Sequence, residues 1–316
     1  MPHVTFIHGI LNKPPKEELL RMWKSALASA SSPFDLDAAG VSCDMVYWAD
    51  VLYETPDPIT MHESAAPEEQ ALEFAPEGEF RIPASRATTA EERAWLAAFR
   101  QRLGVEEDGN LTLGDEGFDA VNGTMAHELE RIPLPWPIKK TFMEAFLRDV
   151  HHYLFNEEFS PRSGVTYRVQ AEIRKRFVKA LEVGKQKSGP HIVVSHSMGT
   201  VIAYDCLKRV PNCPSVDHFI TLGSPLGIDE VQDRLHPEWT RDDGFPSDRL
   251  KGNWMNFFDP FDVVSRLDPY LASDYRNHGV PVIEDTKQRN NGRTPHDIGG
   301  YMRGEHVCGA IQALLE

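Results

Sequence analysis

His191-Ile192-Val193-Val194-Ser195-His196-Ser197-Met198-Gly199-Thr200-Val201-Ile202-Ala203 is the stretch on which the reading of this chain turns. An apolar run enters it, and an apolar run with helical spacing leaves it. That change of pattern predicts a buried strand, a very tight turn and a helix, with the Ser197 hydroxyl at the apex. A backbone that folds back so closely needs small residues two places before and two places after the serine. Ser195 and Gly199 meet that need. Glycine at both places is the usual pattern, so Ser195 is a departure, though a sterically small one. Alone, the five-residue pattern is weak: serine and glycine are common, and a loop serine capping a helix reads the same way.

The surrounding chain adds to it. Val4-Thr5-Phe6-Ile7-His8-Gly9-Ile10-Leu11 reads as a strand running into His-Gly. Thr221-Leu222-Gly223-Ser224-Pro225 follows the turn after another strand-like run, then Asn256-Phe257-Phe258-Asp259-Pro260-Phe261-Asp262-Val263-Val264, and near the end Pro295-His296. With serine, acid and histidine in that order, and the serine on a nucleophile elbow, the chain resembles the α/β-hydrolase family, of the lipase and esterase type. The matching pieces span most of the chain except roughly residues 53–160. The resemblance implies an α/β fold with a mostly parallel sheet and helices on both faces. The core would comprise residues 1–53 and 160–316. Residues 54–159 would form a helical insertion, a candidate cap or lid.

A serine hydroxyl is a poor nucleophile at neutral pH, so it needs a base within hydrogen-bonding reach and an orienting partner for that base. Ser197 is the expected nucleophile. The resemblance favours His296 as the base, because it follows a strand and a polar loop and precedes the closing helix. Tyr301, shortly after it, also resembles lipase-like members. His306 is the rival, placed in the first turn of the last helix. Two aspartates compete for the acid. Asp262, before Val263-Val264, matches the family's loop, whereas Asp259 precedes Pro260 and reads as the start of a turn. Asp262 is favoured. Backbone amides must hold the developing oxyanion, and the resemblance assigns them to Met198 and Ile10. His8 is expected to organise its loop, Gly9 to allow close approach of backbone to substrate, and His196 and Gly199 to support the elbow. Gly223-Ser224-Pro225 is expected to end its strand and set the pocket wall. Trp136, Phe142, Phe146, Tyr153 and Phe155 are candidates for an acyl pocket, with ordinary helix packing as the plainer reading.

The bulk properties narrow the classes. The chain has 316 residues, with 33 Lys plus Arg against 48 Asp plus Glu, a formal net charge of −15. Such a balance repels nucleic acid and anionic lipid surfaces. Lys139-Lys140 and Arg174-Lys175-Arg176 are short and read as solvated faces. No apolar run approaches the roughly 20 residues that cross a bilayer, and no basic segment followed by an apolar one opens the chain. The expectation is a cytoplasmic protein without integral membrane association. Cys43, Cys206, Cys213 and Cys308 are scattered and read as free thiols rather than metal ligands.

Along the chain, strands are expected at 3–8, 41–48, 215–222, 254–258 and 280–283, besides the elbow strand. Helices are expected at about 16–30, 91–103, 165–184, 200–209 and 305–315. Residues 54–90 and 104–117 read as loop, 119–156 as helical with interruptions at Pro133, Pro135 and Pro137, and 227–253 as a surface excursion. Strands alternating with helices imply a mostly parallel sheet covered on both faces. The function expected is hydrolysis of a small-molecule carboxylic ester with an apolar acyl group, through an acyl-enzyme and with neither metal nor organic cofactor. A thioesterase or amidase on the same residues is the alternative within enzymes. A non-catalytic binding module is the alternative outside them.

Overall fold

Apolar residues alternate between the two faces of the central strands, which is what a sheet covered on both sides requires. In the computed structural model, residues 1–57, 89–103, 136–290 and 295–316 are described. Strand β1 (His3–Ile7) sends Val4 and Phe6 to one face and Ile7 to the other. In β5 (His191–His196), Ile192 and Val194 share the first face and Val193 takes the second. With β2 (Ser42–Val46), β6 (His218–Leu222), β7 (Trp254–Phe258) and β8 (Glu284–Lys287) they form a six-stranded sheet in the order β2-β1-β5-β6-β7-β8. All its pairings are parallel.

The first face is covered by α1 (Lys16–Ala28), α7 (Ile298–Arg303) and α8 (Glu305–Leu315), through Trp23, Leu27, Tyr301, Met302 and Ile311. On the second lie α2 (Ala90–Leu103), α3 (Trp136–Leu154), α4 (Val169–Lys185), α5 (Met198–Arg209) and the short α6 (Asp229–Asp233). Phe99, Phe146, Phe177, Val201 and Val231 join there in one apolar cluster. The molecule is therefore α/β, a mostly parallel sheet flanked by helices. No helix among the described residues is long and apolar enough to cross a membrane.

Chain order reverses between β1 and β5: β2 lies to one side of β1, and β5 to β8 run outward on the other. In open α/β sheets such a switch point leaves a crevice beyond the carboxyl ends of the strands. Ile7 pairs with Ser195, so His8-Gly9 and His196-Ser197 emerge side by side at that crevice.

Several elements differ from expectation. Residues 165–184 do not form one helix. A hairpin, β3 (Glu158–Arg162) and β4 (Val165–Arg168), precedes α4. Gly164, at φ +75°, turns the chain, and Val165 and Tyr167 alternate inward with exposed Thr166 and Arg168. That period of two is too short to stand out beside the long amphipathic run that follows. The last strand is Glu284–Lys287, not 280–283. Pro281 lacks a ladder donor, and Val280 and Val282 are exposed. Residues 227–253 are not a surface excursion, since Ile228, Val231, Leu235, Trp239, Phe245 and Leu250 are buried. Most of their charged neighbours, Glu230 apart, are at least partly exposed, which masked the apolar anchors. The second strand is shorter than expected, Ser42–Val46. The loops expected at 54–90 and 104–117, and the start of the 119–156 stretch, lie largely outside the described residues. Within 119–156 the helix α3 begins at Trp136, so Pro137 falls in its first turn, where proline costs no hydrogen bond.

Candidate functional site

Ser197 follows β5 at φ 53° and ψ −130°. A non-glycine residue in such a conformation costs on the order of 1–3 kcal/mol and needs its surroundings to hold it. The holding contacts are local. Its N–H donates to the Leu222 carbonyl at 2.9 Å, and its carbonyl accepts from the Thr200 amide at 2.9 Å and the Thr200 hydroxyl at 2.7 Å. Small neighbours make the turn possible. A Cβ on Gly9 would come 2.6 Å from Ser197 Cβ, and one on Gly199 would come 2.7 Å from the carbonyl oxygens of Ile7 and His8. Ser195 is accommodated because its hydroxyl donates to the Ile220 carbonyl at 2.8 Å.

The structure brings Ser197, His296 and Asp262 into one line. The Ser197 hydroxyl lies 2.9 Å from His296 Nε2, and His296 Nδ1 lies 2.7 Å from Asp262 Oδ1. With Nδ1–H donating to the carboxylate, Nε2 is left to accept the hydroxyl proton. Asp262 is fully buried, and its Oδ1 also accepts from the Val264 amide at 2.9 Å. Tyr301 completes the line, its hydroxyl donating to Asp262 Oδ2 at 2.7 Å. Burial, then the charge of Asp262, holds the Tyr301 hydroxyl well above the usual phenol range. A Cβ on Gly223, itself at φ +56°, would come 2.6 Å from Asp262 Oδ2. The motif at the end of β6 thus makes room for the carboxylate.

The competing residues are elsewhere. Asp259 accepts from the Phe261 and Asn290 amides at 2.8 and 2.6 Å, and so organises its turn. His306 is exposed on α8.

His8 and His196 are both buried, and burial pushes each imidazole well below its ordinary range. His8 donates from Nδ1 to the Gly9 carbonyl at 2.8 Å and accepts the Trp48 amide at Nε2 at 3.0 Å, with its ring stacked on Trp48. It braces the loop after β1. His196 donates from Nε2 to the His296 carbonyl at 3.0 Å and so ties the elbow to the histidine loop. Residues 291–294 of that loop lie outside the described ones.

Of the two expected oxyanion donors, Met198 adjoins Ser197 in sequence and Ile10 follows Gly9, which packs closely against Ser197. Met198 is the first residue of α5, so its N–H is one of the four at a helix start with no acceptor within the helix. Ile10 follows Gly9, whose Cα faces Ser197. The next peptide is held at both ends: the Ile10 carbonyl accepts from Lys13 Nζ, and the Leu11 amide donates to Asp149 Oδ2 at 3.1 Å. Burial lowers the Lys13 ammonium to about 8, against the opposing pull of Asp57 and Asp149. Lys13 and Asp149 had no part in the reading of the sequence, and Tyr301 entered it only as part of the resemblance, without a role of its own. Tyr301 carried a signal, its place shortly after His296. Asp149 carried none, being 138 positions from its partner and one charge among several on a helix.

Phe146 and Tyr153 are buried and Phe155 is partly buried, all within the apolar cluster of the second face. Phe146 packs on Phe99, Phe155 on Trp95, and the Tyr153 hydroxyl donates to Asp205 at 2.6 Å. Helix packing accounts for all three. The side chains of Trp136 and Phe142 lie outside the described residues.

No family model and no curated protein matches this chain. Among solved structures, a crystal structure of an uncharacterized protein from Pseudomonas aeruginosa aligns at 12% identity and a TM-score of 0.23, over 81% of this chain and 35% of that one. This chain thus spans about a third of that protein's length. A likeness of that order carries no argument about fold family or chemistry.

Proposed function

We propose that this protein is a serine hydrolase of the α/β-hydrolase fold that cleaves carboxylic esters through an acyl-enzyme. The observation that carries the reading is the buried line Ser197 Oγ, His296 Nε2, His296 Nδ1 and Asp262 Oδ1, at 2.9 and 2.7 Å. Its place at the switch point of the sheet, on a serine at positive φ, supports it further. Ser197 attacks the ester carbonyl while His296 Nε2 takes its proton. The carbonyl oxygen, now negative, is received by the Ile10 and Met198 amides. As the tetrahedral species collapses, the imidazolium returns the proton to the leaving alcohol, and the acyl group stays on Ser197. Water, deprotonated by the same imidazole, then releases the acid. Asp262 holds the imidazole tautomer and stabilises the imidazolium throughout.

The test is labelling with a fluorophosphonate and turnover of p-nitrophenyl butyrate. Wild-type protein should be labelled at Ser197, and Ser197→Ala should lose both signals without losing its fold. His296→Ala should lose roughly 10³-fold or more in turnover, whereas His306→Ala should stay near wild type. Turnover that survives in Ser197→Ala would end the serine-hydrolase reading.

A further inference from the structure

One peptide group in the loop after β1 is gripped from opposite sides by opposite charges. Lys13 Nζ donates to the carbonyl of Ile10, and Asp149 Oδ2 accepts from the amide of Leu11, the other end of the same peptide unit. That plane fixes ψ of Ile10 and φ of Leu11 together. Leu11 sits at φ 69°, the left-handed region that a branched side chain seldom occupies. Backbone of this kind persists only where its surroundings over-determine it.

The grip is built with some cost. Asp149 is fully buried on α3. Its Oδ1 is taken by Arg148, at 2.8 Å from Nε and 2.6 Å from Nη2, which leaves Oδ2 for Leu11 and, at 3.4 Å, the Tyr53 hydroxyl. The other side of the loop is tied to residues 47–57. Asn12 Nδ2 donates to the Thr55 carbonyl at 2.8 Å, and the Tyr47 hydroxyl donates to the Lys13 carbonyl at 3.1 Å. Gly9, directly before this peptide, has a backbone free of Cβ restraint, so the loop would otherwise have slack next to Ser197.

We propose that Asp149 and Lys13 are positioning residues: by clamping the Ile10–Leu11 peptide, Lys13 and helix α3 anchor the Ile10 Cα, the downstream end of the Gly9–Ile10 peptide whose N–H is the expected oxyanion donor. The inference rests on the hydrolase reading above. It gives the insertion a part in the reaction different from that of a lid. An oxyanion donor displaced by a fraction of an ångström stabilises the transition state less while leaving substrate binding alone.

The full-length protein decides it. Wild type, Asp149→Ala, Asp149→Asn and Lys13→Met are compared on p-nitrophenyl butyrate and on phenylboronic acid, whose adduct with Ser197 carries the tetrahedral oxygen. Asp149→Ala should lose roughly 10–100-fold in kcat with KM within about twofold, and boronic acid affinity should fall by a similar factor. Asp149→Asn keeps an acceptor for the Leu11 amide and should recover most of the loss. Lys13→Met should lose roughly tenfold with the same split. Loss that appears in KM instead, or boronic acid affinity that is unchanged in variants that still melt cooperatively, overturns the positioning roles. Should Asp149→Ala fail to fold, Lys13→Met and Asp149→Asn carry the decision. If fluorophosphonate does not label wild-type Ser197, the hydrolase reading falls and the positioning roles with it. If wild type is labelled and the variants are unaffected, the positioning roles alone fall.

Discussion

The Tyr301 hydroxyl donates to Asp262 Oδ2 at 2.7 Å and accepts from the Asp259 amide at 3.0 Å. Both side chains are fully buried. The carboxylate facing His296 is thus held from behind by a phenol that is itself fixed by the neighbouring turn. Tyr301→Phe keeps the ring and removes that donor. The expected cost is roughly 1–3 kcal/mol in stability, from a buried acceptor and a buried amide left short of a partner. Turnover on p-nitrophenyl butyrate should fall, because a carboxylate held from one side fewer orients the His296 imidazole less firmly. Unchanged turnover with unchanged stability would mean that Tyr301 is only packing.

Gly9→Ala tests the closeness of the two loops. The added methyl would stand 2.6 Å from Ser197 Cβ and 3.1 Å from its hydroxyl. One of the loops must move, and a displacement of about 1 Å near the reacting atoms can cost on the order of 10²-fold in rate. The loss should appear in kcat on p-nitrophenyl butyrate. Activity within a few-fold of wild type would show that the loop after β1 yields without consequence.

Asp205→Ala tests how α3 and α4 are fastened to α5. Asp205, fully buried on α5, accepts from the Tyr153 hydroxyl of α3 at 2.6 Å, from Arg174 of α4 at 2.6 and 2.7 Å, and from Arg209 at 3.1 Å. Its removal strands the Arg174 guanidinium and a buried phenol, while Arg209 keeps Glu238 at 3.0 Å, so a loss of about 3–5 kcal/mol is expected by urea denaturation. Tyr153→Phe should cost about 1 kcal/mol. Equal and small losses in both would show the cluster to be dispensable.

Acid should destabilise the protein through its buried histidines. Burial lowers His8 and His196 well below their ordinary range and takes His152 and His191 down to about 4, with repulsion from neighbouring histidines adding to the last two. Below the ordinary value near 6.5, the unfolded chain binds protons that the folded chain refuses. Stability therefore falls as pH falls from about 6.5 towards 4, by at most about 1.4 kcal/mol per pH unit for each histidine. Above pH 7 these groups add no pH dependence. Urea titrations of wild type and His191→Gln across this window isolate one histidine from the titrating carboxylates. Identical slopes in the two proteins would contradict the assignment for His191.

Local pattern along the chain was enough for the sheet class and for the turn that carries Ser197. Strands buried on both faces must be nearly continuous apolar runs, and β1, β5, β6 and β7 are. A backbone reversal as tight as that at Ser197 tolerates only small flanking side chains, and Ser195 and Gly199 declare it. Pattern failed where burial is shared between distant segments. Glu284–Lys287 reads as polar because it lies at the edge of the sheet, paired only with β7. Residues 227–253 read as surface because their apolar anchors are spaced by loops rather than by a regular period. Asp259 and Asp262 stand three residues apart in one loop, and composition does not separate them. Folding does, by turning one carboxylate onto His296 and the other onto backbone amides. The contact of Asp149 with Leu11 lay beyond any local reading. A hydrogen bond across 138 positions leaves no periodic trace, because it depends on where two elements come to rest and not on the residues beside either one.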